Sequence, residues 1–199
     1  LDQIIALLIG YVAGSIPFGL LLTLAAGKGD IRQIGSGNIG ATNVLRTGSK
    51  WLAVVTLLLD FAKGLVAVLA VRSLFGTAET MMAPAALAAL GAVLGHCFPV
   101  WLKFKGGKGV ATNMGISFGL AWPIGVAYAL TWLAVALVFR ISSLAGMCAV
   151  AAAVIAAIVM GMWGFVPVLA LIAVVVIWLH RANIARLVAG TEPRIGSKS

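Results

Sequence analysis

Charge is what this chain has least of. Only 10% of its 199 residues are charged, and five are acidic, against roughly 25% charged residues in an ordinary soluble domain. With 62% hydrophobic residues and a mean hydropathy of +1.14, the composition excludes a water-soluble globule. Cysteine is scarce too: Cys97 and Cys148 stand in apolar runs without a CxxC spacing. They are read as buried small apolar residues and leave the redox compartment open. Histidine, cysteine and carboxylates nowhere gather at metal-ligand spacing, so neither metal nor cofactor is expected.

What is present is apolar length. Runs cover Ile4 to Ala26, Trp51 to Phe75, Met81 to Leu102, Val110 to Ala121, Pro123 to Phe139, Ser143 to Met160 and Phe165 to Leu179. The first has no basic region before it and exceeds a signal-peptide core, so it is expected to be a retained span. The fourth is short for a hydrocarbon core of about 30 Å. Fusing it with the fifth gives a six-span alternative.

The basic residues decide between the two counts. With seven spans, Lys28, Arg32, Arg46, Lys50, Lys103, Lys105, Lys108, Arg140, Arg181, Arg186, Arg194 and Lys198 fall on one side. Cytoplasmic loops carry such an excess. The expected fold is therefore an all-α, polytopic helix bundle of seven transmembrane helices and a single domain over residues 1–199. Its N-terminus is periplasmic and its C-terminus cytoplasmic. The net charge of +9 belongs on membrane loops, and no nucleic acid partner is expected.

Two basic residues lie inside the second run. Arg72 is near enough to its end to snorkel outward. Lys63 is not, and an ammonium in hydrocarbon costs at least ~2.5 kcal/mol. Asp60, three residues earlier, shares its helix face. The pair either neutralises itself toward the bundle interior or orients a substrate loop.

Three polar clusters face the basic side. The first is Gly35, Ser36, Gly37, Asn38, Ile39, Gly40, Ala41, Thr42 and Asn43, followed by Arg46. It matches GxGxxG, but no strand precedes it, so a dinucleotide fold is excluded. Its glycines permit positive φ and converging N–H groups, an anion nest. Arg46 adds a fork suited to phosphate. The second runs Lys105, Gly106, Gly107, Lys108, Gly109. It is not a Walker A loop, yet a glycine-rich turn opening a helix presents free N–H donors to an anion. His96 either shapes that loop or lines the site. The third closes the last run, where a continuing helix would align His180 with Asn183, ahead of Arg186 and of Gly190-Thr191-Glu192-Pro193. Together the clusters suggest one composite site for a phosphorylated substrate, with lipid or apolar helices as its other wall.

Four strings carry a resemblance: GSIPFG at Gly14 to Gly19, GSGNIGATNVLR at Gly35 to Arg46, GHCFPVWLKFKGGKGVAT at Gly95 to Thr112, and HRANIARLVAGTEP at His180 to Pro193. Over its whole length the chain resembles the bacterial acyl-phosphate-dependent glycerol-3-phosphate acyltransferases, the PlsY family. The resemblance implies a multi-pass inner-membrane enzyme with its active site facing the cytoplasm. It would move a fatty acyl chain from acyl phosphate to the 1-hydroxyl of glycerol 3-phosphate, giving lysophosphatidic acid and phosphate. Ser36, Asn38, His180 and Asn183 are then expected to be catalytic. Gly35, Gly37, Gly40, Thr42, Asn43, Arg46, Lys105, Gly106, Gly107, Lys108 and Gly109 are expected to bind substrate or phosphate. The soluble acyltransferase signature, His followed five positions later by Asp, is absent, since Trp101 and Ala185 stand there. Either His180 or a substrate phosphate removes the hydroxyl proton. Two rival readings are a transporter or channel for a phosphorylated solute, and a lipid-headgroup-binding accessory subunit.

Overall fold

A computed structural model describes residues 1–76 and 83–196. Met81, where the third run begins, and Lys198 lie outside the described residues. The described residues form helices joined by turns, in the order α1 (Asp2–Gly14), α2 (Phe18–Ala25), α3 (Ala41–Val44), α4 (Lys50–Phe75), α5 (Pro84–Cys97), α6 (Val110–Leu120), α7 (Trp122–Phe139), α8 (Ser142–Val159), α9 (Val166–Leu179) and α10 (Arg181–Val188).

The breaks have local causes. Pro17 separates α1 from α2 because it lacks an N–H and cannot continue a helix. Ser49 caps α4 by accepting from Leu52 N–H at 3.3 Å. α5, α7 and α9 each carry proline in the first turn, where the missing N–H would have no partner anyway.

Five segments are long and apolar enough to cross a membrane: Asp2–Ala25, Lys50–Phe75, Pro84–Leu102, Trp122–Phe139 and Ser142–Val159. Val166–Leu179 with Arg181–Val188, bent by 59°, makes a sixth. Of the seven runs expected, Val110 to Ala121 thus lacks spanning length by itself. Large apolar side chains such as Leu8, Leu58, Leu130 and Leu137 stay exposed, the surface a bilayer would cover.

Between lipid-facing helices, close packing rather than hydrophobicity drives association, so small residues mark the contacts. α5 is the axis, with Ala85, Ala86, Ala88, Ala89, Ala92 and Val93 buried. Gly10 and Gly14 of α1 press against the backbone of Ala88 and Ala92, while Gly91 and Gly95 of α5 press against Leu7 and Tyr11. The same device joins α4 to α6, Gly64 meeting Thr112 and Gly115 meeting Phe61.

Polar groups inside the bundle tie down its irregular backbone. Lys63 Nζ donates to the Ile16 carbonyl at 2.8 Å and ion-pairs with Asp60 at 2.7 Å. Trp101 Nε1 reaches Ser15 O at 2.8 Å. The freed carbonyls of the α1–α2 break are thus held from α4 and from the loop after α5. Arg72 does not snorkel outward: its Nη1 donates to the Gly119 and Leu120 carbonyls at 2.7 and 2.6 Å. It caps the end of α6, where carbonyls have no helical partner.

Gly91→Leu should cost about 1–3 kcal/mol by overpacking, because a side chain there meets the Leu7 backbone. A clear drop in the thermal midpoint of the detergent-solubilised protein checks this. Leu130→Ala, on an exposed face, should move the midpoint little.

Candidate active site

The first polar loop is built around Asn43, which is 2% exposed. Its Nδ2 donates to the carbonyls of Ile31, Ile34 and Asn38 at 2.9, 3.0 and 2.8 Å. Its Oδ1 accepts from Ser36 N–H at 3.1 Å and from Arg46 Nη1 at 3.4 Å. Asn38 Oδ1 accepts from Gly40 N–H at 2.8 Å, and Gly37 N–H donates to Ile34 O at 3.0 Å. The expected anion nest therefore differs in this loop: the N–H groups of Ser36, Gly37 and Gly40 are committed inside it. Gly35 and Gly37 do adopt positive φ, +56° and +68°, while Gly40 caps α3 at φ −81°. What the loop offers outward is side chains, Ser36, Thr42 and Arg46, all exposed.

Free N–H donors lie instead in the second loop. Gly106 and Gly107 donate to the carbonyls of Cys97 and His96, both at 3.0 Å. The N–H groups of Lys108, Gly109, Val110, Ala111 and Thr112 donate to no acceptor among the described residues. Gly109, at φ +81°, turns the chain into α6, whose start is pinned by Tyr128 Oη donating to Val110 O at 2.9 Å. Such a helix start attracts anions. Lys105 beside it is exposed.

The third cluster bends where a continuing helix was expected. His180 occupies the break between α9 and α10, 2% exposed, its Nδ1 against Val176 O at 2.7 Å. If Nδ1 carries the proton to that carbonyl, Nε2 is left with the lone pair. One turn on, Asn183 is 6% exposed. It accepts from Lys108 Nζ through Oδ1 and donates from Nδ2 to Glu192 Oε1 at 2.6 Å.

Glu192, which the sequence places in the third cluster without a role, is the junction. Ser143 Oγ donates to the same Oε1 at 2.6 Å, and Arg186 Nε to Oε2 at 2.7 Å. Ser143 was missed. For Glu192 the available signal was scarcity: in a chain with five acidic residues, one that follows a basic cluster has few other duties. Next to it, Arg140 and Ile195 exchange backbone and side-chain bonds, Ile195 N–H to Arg140 O at 2.6 Å and Arg140 Nη2 to Ile195 O at 2.9 Å. Thr42 Oγ1 lies 3.2 Å from Ser142 Oγ.

The geometry thus joins the second and third clusters directly through Lys108 and Asn183. The first touches the start of α8, where Thr42 meets Ser142 beside the Ser143 that bonds Glu192. His180 stands one turn before Asn183, which meets both Lys108 and Glu192. Among the described residues, the acidic partners within salt-bridge distance go to Arg32, Lys63, His96 and Arg186. Lys108 and Arg46 have none. Burial pushes the Lys108 ammonium below its ordinary pKa, and the Arg186 and Arg46 cations push the same way against Glu192. No three His, Cys, Asp or Glu among the described residues gather as metal ligands do.

Burial would raise the Glu192 pKa, but hydrogen bonds from Ser143, Asn183 and Arg186 and the Arg186 charge prevail and hold it below the ordinary 4.5. A depressed carboxylate stabilises the fold fully above its unfolded pKa and loses that contribution as pH falls through the folded value. Glu192→Gln should therefore cost about 1–3 kcal/mol near neutrality, a gap that closes on acidification below 4.5. Thermal midpoints of both proteins across acid pH check this.

Comparison with known proteins meets this geometry from a separate direction. The family model for glycerol-3-phosphate acyltransferase matches residues 4–190. A glycerol-3-phosphate acyltransferase of Erythrobacter litoralis (strain HTCC2594) is 62% identical over 198 residues, covering 100% of this chain and 98% of the relative. One from Ruegeria sp. (strain TM1040) is 58% identical over 190 residues, covering 96% and 92%. Crystal structures of PlsY (YgiH), an integral membrane glycerol 3-phosphate acyltransferase, share the fold at 36% identity. Its glycerol 3-phosphate form gives a TM-score of 0.90, covering 98% of this chain and 96% of that one. Its lysophosphatidic acid form gives 0.87, covering 98% and 95%. An all-helical membrane bundle, polar loops gathered around unbalanced cations, and matches along nearly the whole length agree: this chain belongs to the glycerol-3-phosphate acyltransferase family.

Proposed function

We propose that this single-domain chain transfers a fatty acyl group from acyl phosphate to the 1-hydroxyl of glycerol 3-phosphate, releasing lysophosphatidic acid and inorganic phosphate. One observation carries the reading: Lys108, half-buried, meets the neutral Asn183 Oδ1 and has no carboxylate within salt-bridge distance among the described residues, Glu192 being bonded to Arg186. Two phosphorylated substrates supply the missing negative charge. Lys105, Lys108 and Arg46 hold the phosphates, aided by the free N–H groups that open α6. Ser36, Asn38 and Asn183 orient the glycerol backbone. Asn43, wholly engaged within its loop, acts by keeping Arg46 in place.

The chemistry asks little more of the protein, because phosphate is already a good leaving group. The glycerol oxygen bonds to the acyl carbon as the bond from that carbon to the phosphate oxygen breaks, and the hydroxyl proton leaves with phosphate. Alignment and charge neutralisation supply the catalysis. His180 accepts a hydrogen bond from the hydroxyl at Nε2 and orients it.

The polar loops also support an orientation. Contacts of Lys108 with Asn183, Ser143 with Glu192, and Thr42 with Ser142 bring residues 27–49, 98–109, 140–142 and 180–196 to one end. α4 then leaves that end and α5 returns, α6 leaves and α7 returns, α8 leaves and α9 returns. Counting α1 with α2 and taking the short α6 as a span, this path supports the seven-span reading. α6, at about 1.5 Å per residue, covers roughly half a hydrocarbon core of about 30 Å. The basic end is cytoplasmic by the positive-inside rule, in a bacterial inner membrane, and the N-terminus is periplasmic. The acyl chain lies between helices toward lipid.

Supplying acyl phosphate to purified protein, with and without glycerol 3-phosphate, tests the reaction. Phosphate release should depend on the acceptor; release indifferent to it, or none, refutes the assignment. Lys108 is needed as a cation and its pKa is lowered, so kcat/KM should fall as pH rises through that lowered value. Lys108→Met should lose about 2 kcal/mol or more of transition-state binding together with that alkaline limb. His180→Ala should raise KM for glycerol 3-phosphate and leave the shape of the pH–rate profile unchanged. Loss of an acid limb in kcat would instead make His180 the base.

A further inference from the structure

His96 is a buried group that the reaction scheme leaves unused. It occupies the last turn of α5 at 4% exposure. From α4, Asp60 Oδ1 lies 3.7 Å from its Nδ1, and the same oxygen holds Lys63 at 2.7 Å. From the loop that follows, Gly107 lies so close over the ring that a Cβ there would overlap His96 Nε2 and the carbons on either side. A Cβ on Gly106 would overlap the His96 carbonyl. Neither glycine has positive φ. Clearance over this histidine, rather than backbone freedom, is what requires glycine at both positions.

We infer that His96 is a positioning residue: its imidazole is the floor on which the Gly106–Lys108 turn rests, and the Asp60–Lys63 pair fixes the ring. The imidazole Nδ1 has no hydrogen-bond partner among the described residues, so shape and the facing carboxylate hold it. Gly107 N–H, bonded to the His96 carbonyl at 3.0 Å, ties the turn to the same residue. The height of this floor sets the aim of Lys108 and of the free N–H groups behind it. Lys63 extends the reference to the first loop, because it fixes the Ile16 carbonyl ahead of α2, and Gly19 of α2 packs against the Ile39 carbonyl. Both polar loops are thereby registered to one buried point.

The inference rests on the reading of the second loop as a phosphate site, and a double-mutant cycle separates the two. His96→Ala, Gly107→Ala and the double variant are compared for kcat, for KM of each substrate and for thermal midpoint, with Lys108→Met as control. Each single variant should raise KM for at least one phosphorylated substrate about tenfold, with a smaller change in kcat. The double variant should recover most of the loss, because the added methyl enters the space the ring has left; such coupling is expected only of groups in contact. Losses that add in the double variant, or single variants with unchanged KM, overturn the positioning role. If His96→Ala yields no folded protein, Gly107→Ala alone decides, and an unchanged KM overturns it. Wild-type kinetics in Lys108→Met would overturn the phosphate-site reading beneath it.

Discussion

A half-buried cation without a salt-bridge carboxylate among the described residues is the constraint on which this molecule turns. Lys108 meets the neutral oxygen of Asn183, and Arg46 meets the neutral oxygen of Asn43 at 3.4 Å. The nearby carboxylate, Glu192, is bonded to Arg186, Asn183 and Ser143. Withdrawing charge from water without a counter-ion is costly, and the lowered pKa of Lys108 records it. A phosphorylated ligand removes that cost. Substrate affinity and apo-state strain are on this view one electrostatic quantity.

The rest of the fold holds those cations where they are. Small residues let α1 and α4 close onto α5 and α6, and two irregular stretches of backbone are fastened by buried polar side chains. Lys63 and Trp101 hold the α1–α2 break, and Arg72 holds the end of α6. Glu192 gathers α8, α10 and the chain after them. None of these groups needs to touch substrate to matter, since a phosphate held as proposed, by charge and N–H donors, requires those donors aimed at one point.

Much of this was legible in the sequence because the membrane leaves few solutions. Apolar run lengths located the helices, and one-sided charge indicated that the polar loops share an end. Less legible was how each polar residue would be used. Asn43 reads like a ligand and is the interior of its loop. Gly106 and Gly107 read as phosphate-binding glycines, and they bond to the Cys97 and His96 carbonyls and pack against His96. Arg72 reads as an arginine reaching for water and is a helix cap. In each case the deciding partner is distant in sequence or is a backbone atom, and neither leaves a mark on residue type. Glu192 is similar: its partners Ser143 and Arg186 become neighbours only when the chain after α10 folds back over α8.

Calorimetric titration of the purified protein with glycerol 3-phosphate and with glycerol, at low and at high salt, addresses the unbalanced cations directly. Glycerol 3-phosphate should bind saturably, glycerol should not, and added salt should weaken the binding by screening. Equal binding of both compounds would mean that charge at Lys108 and Arg46 is not what the site uses.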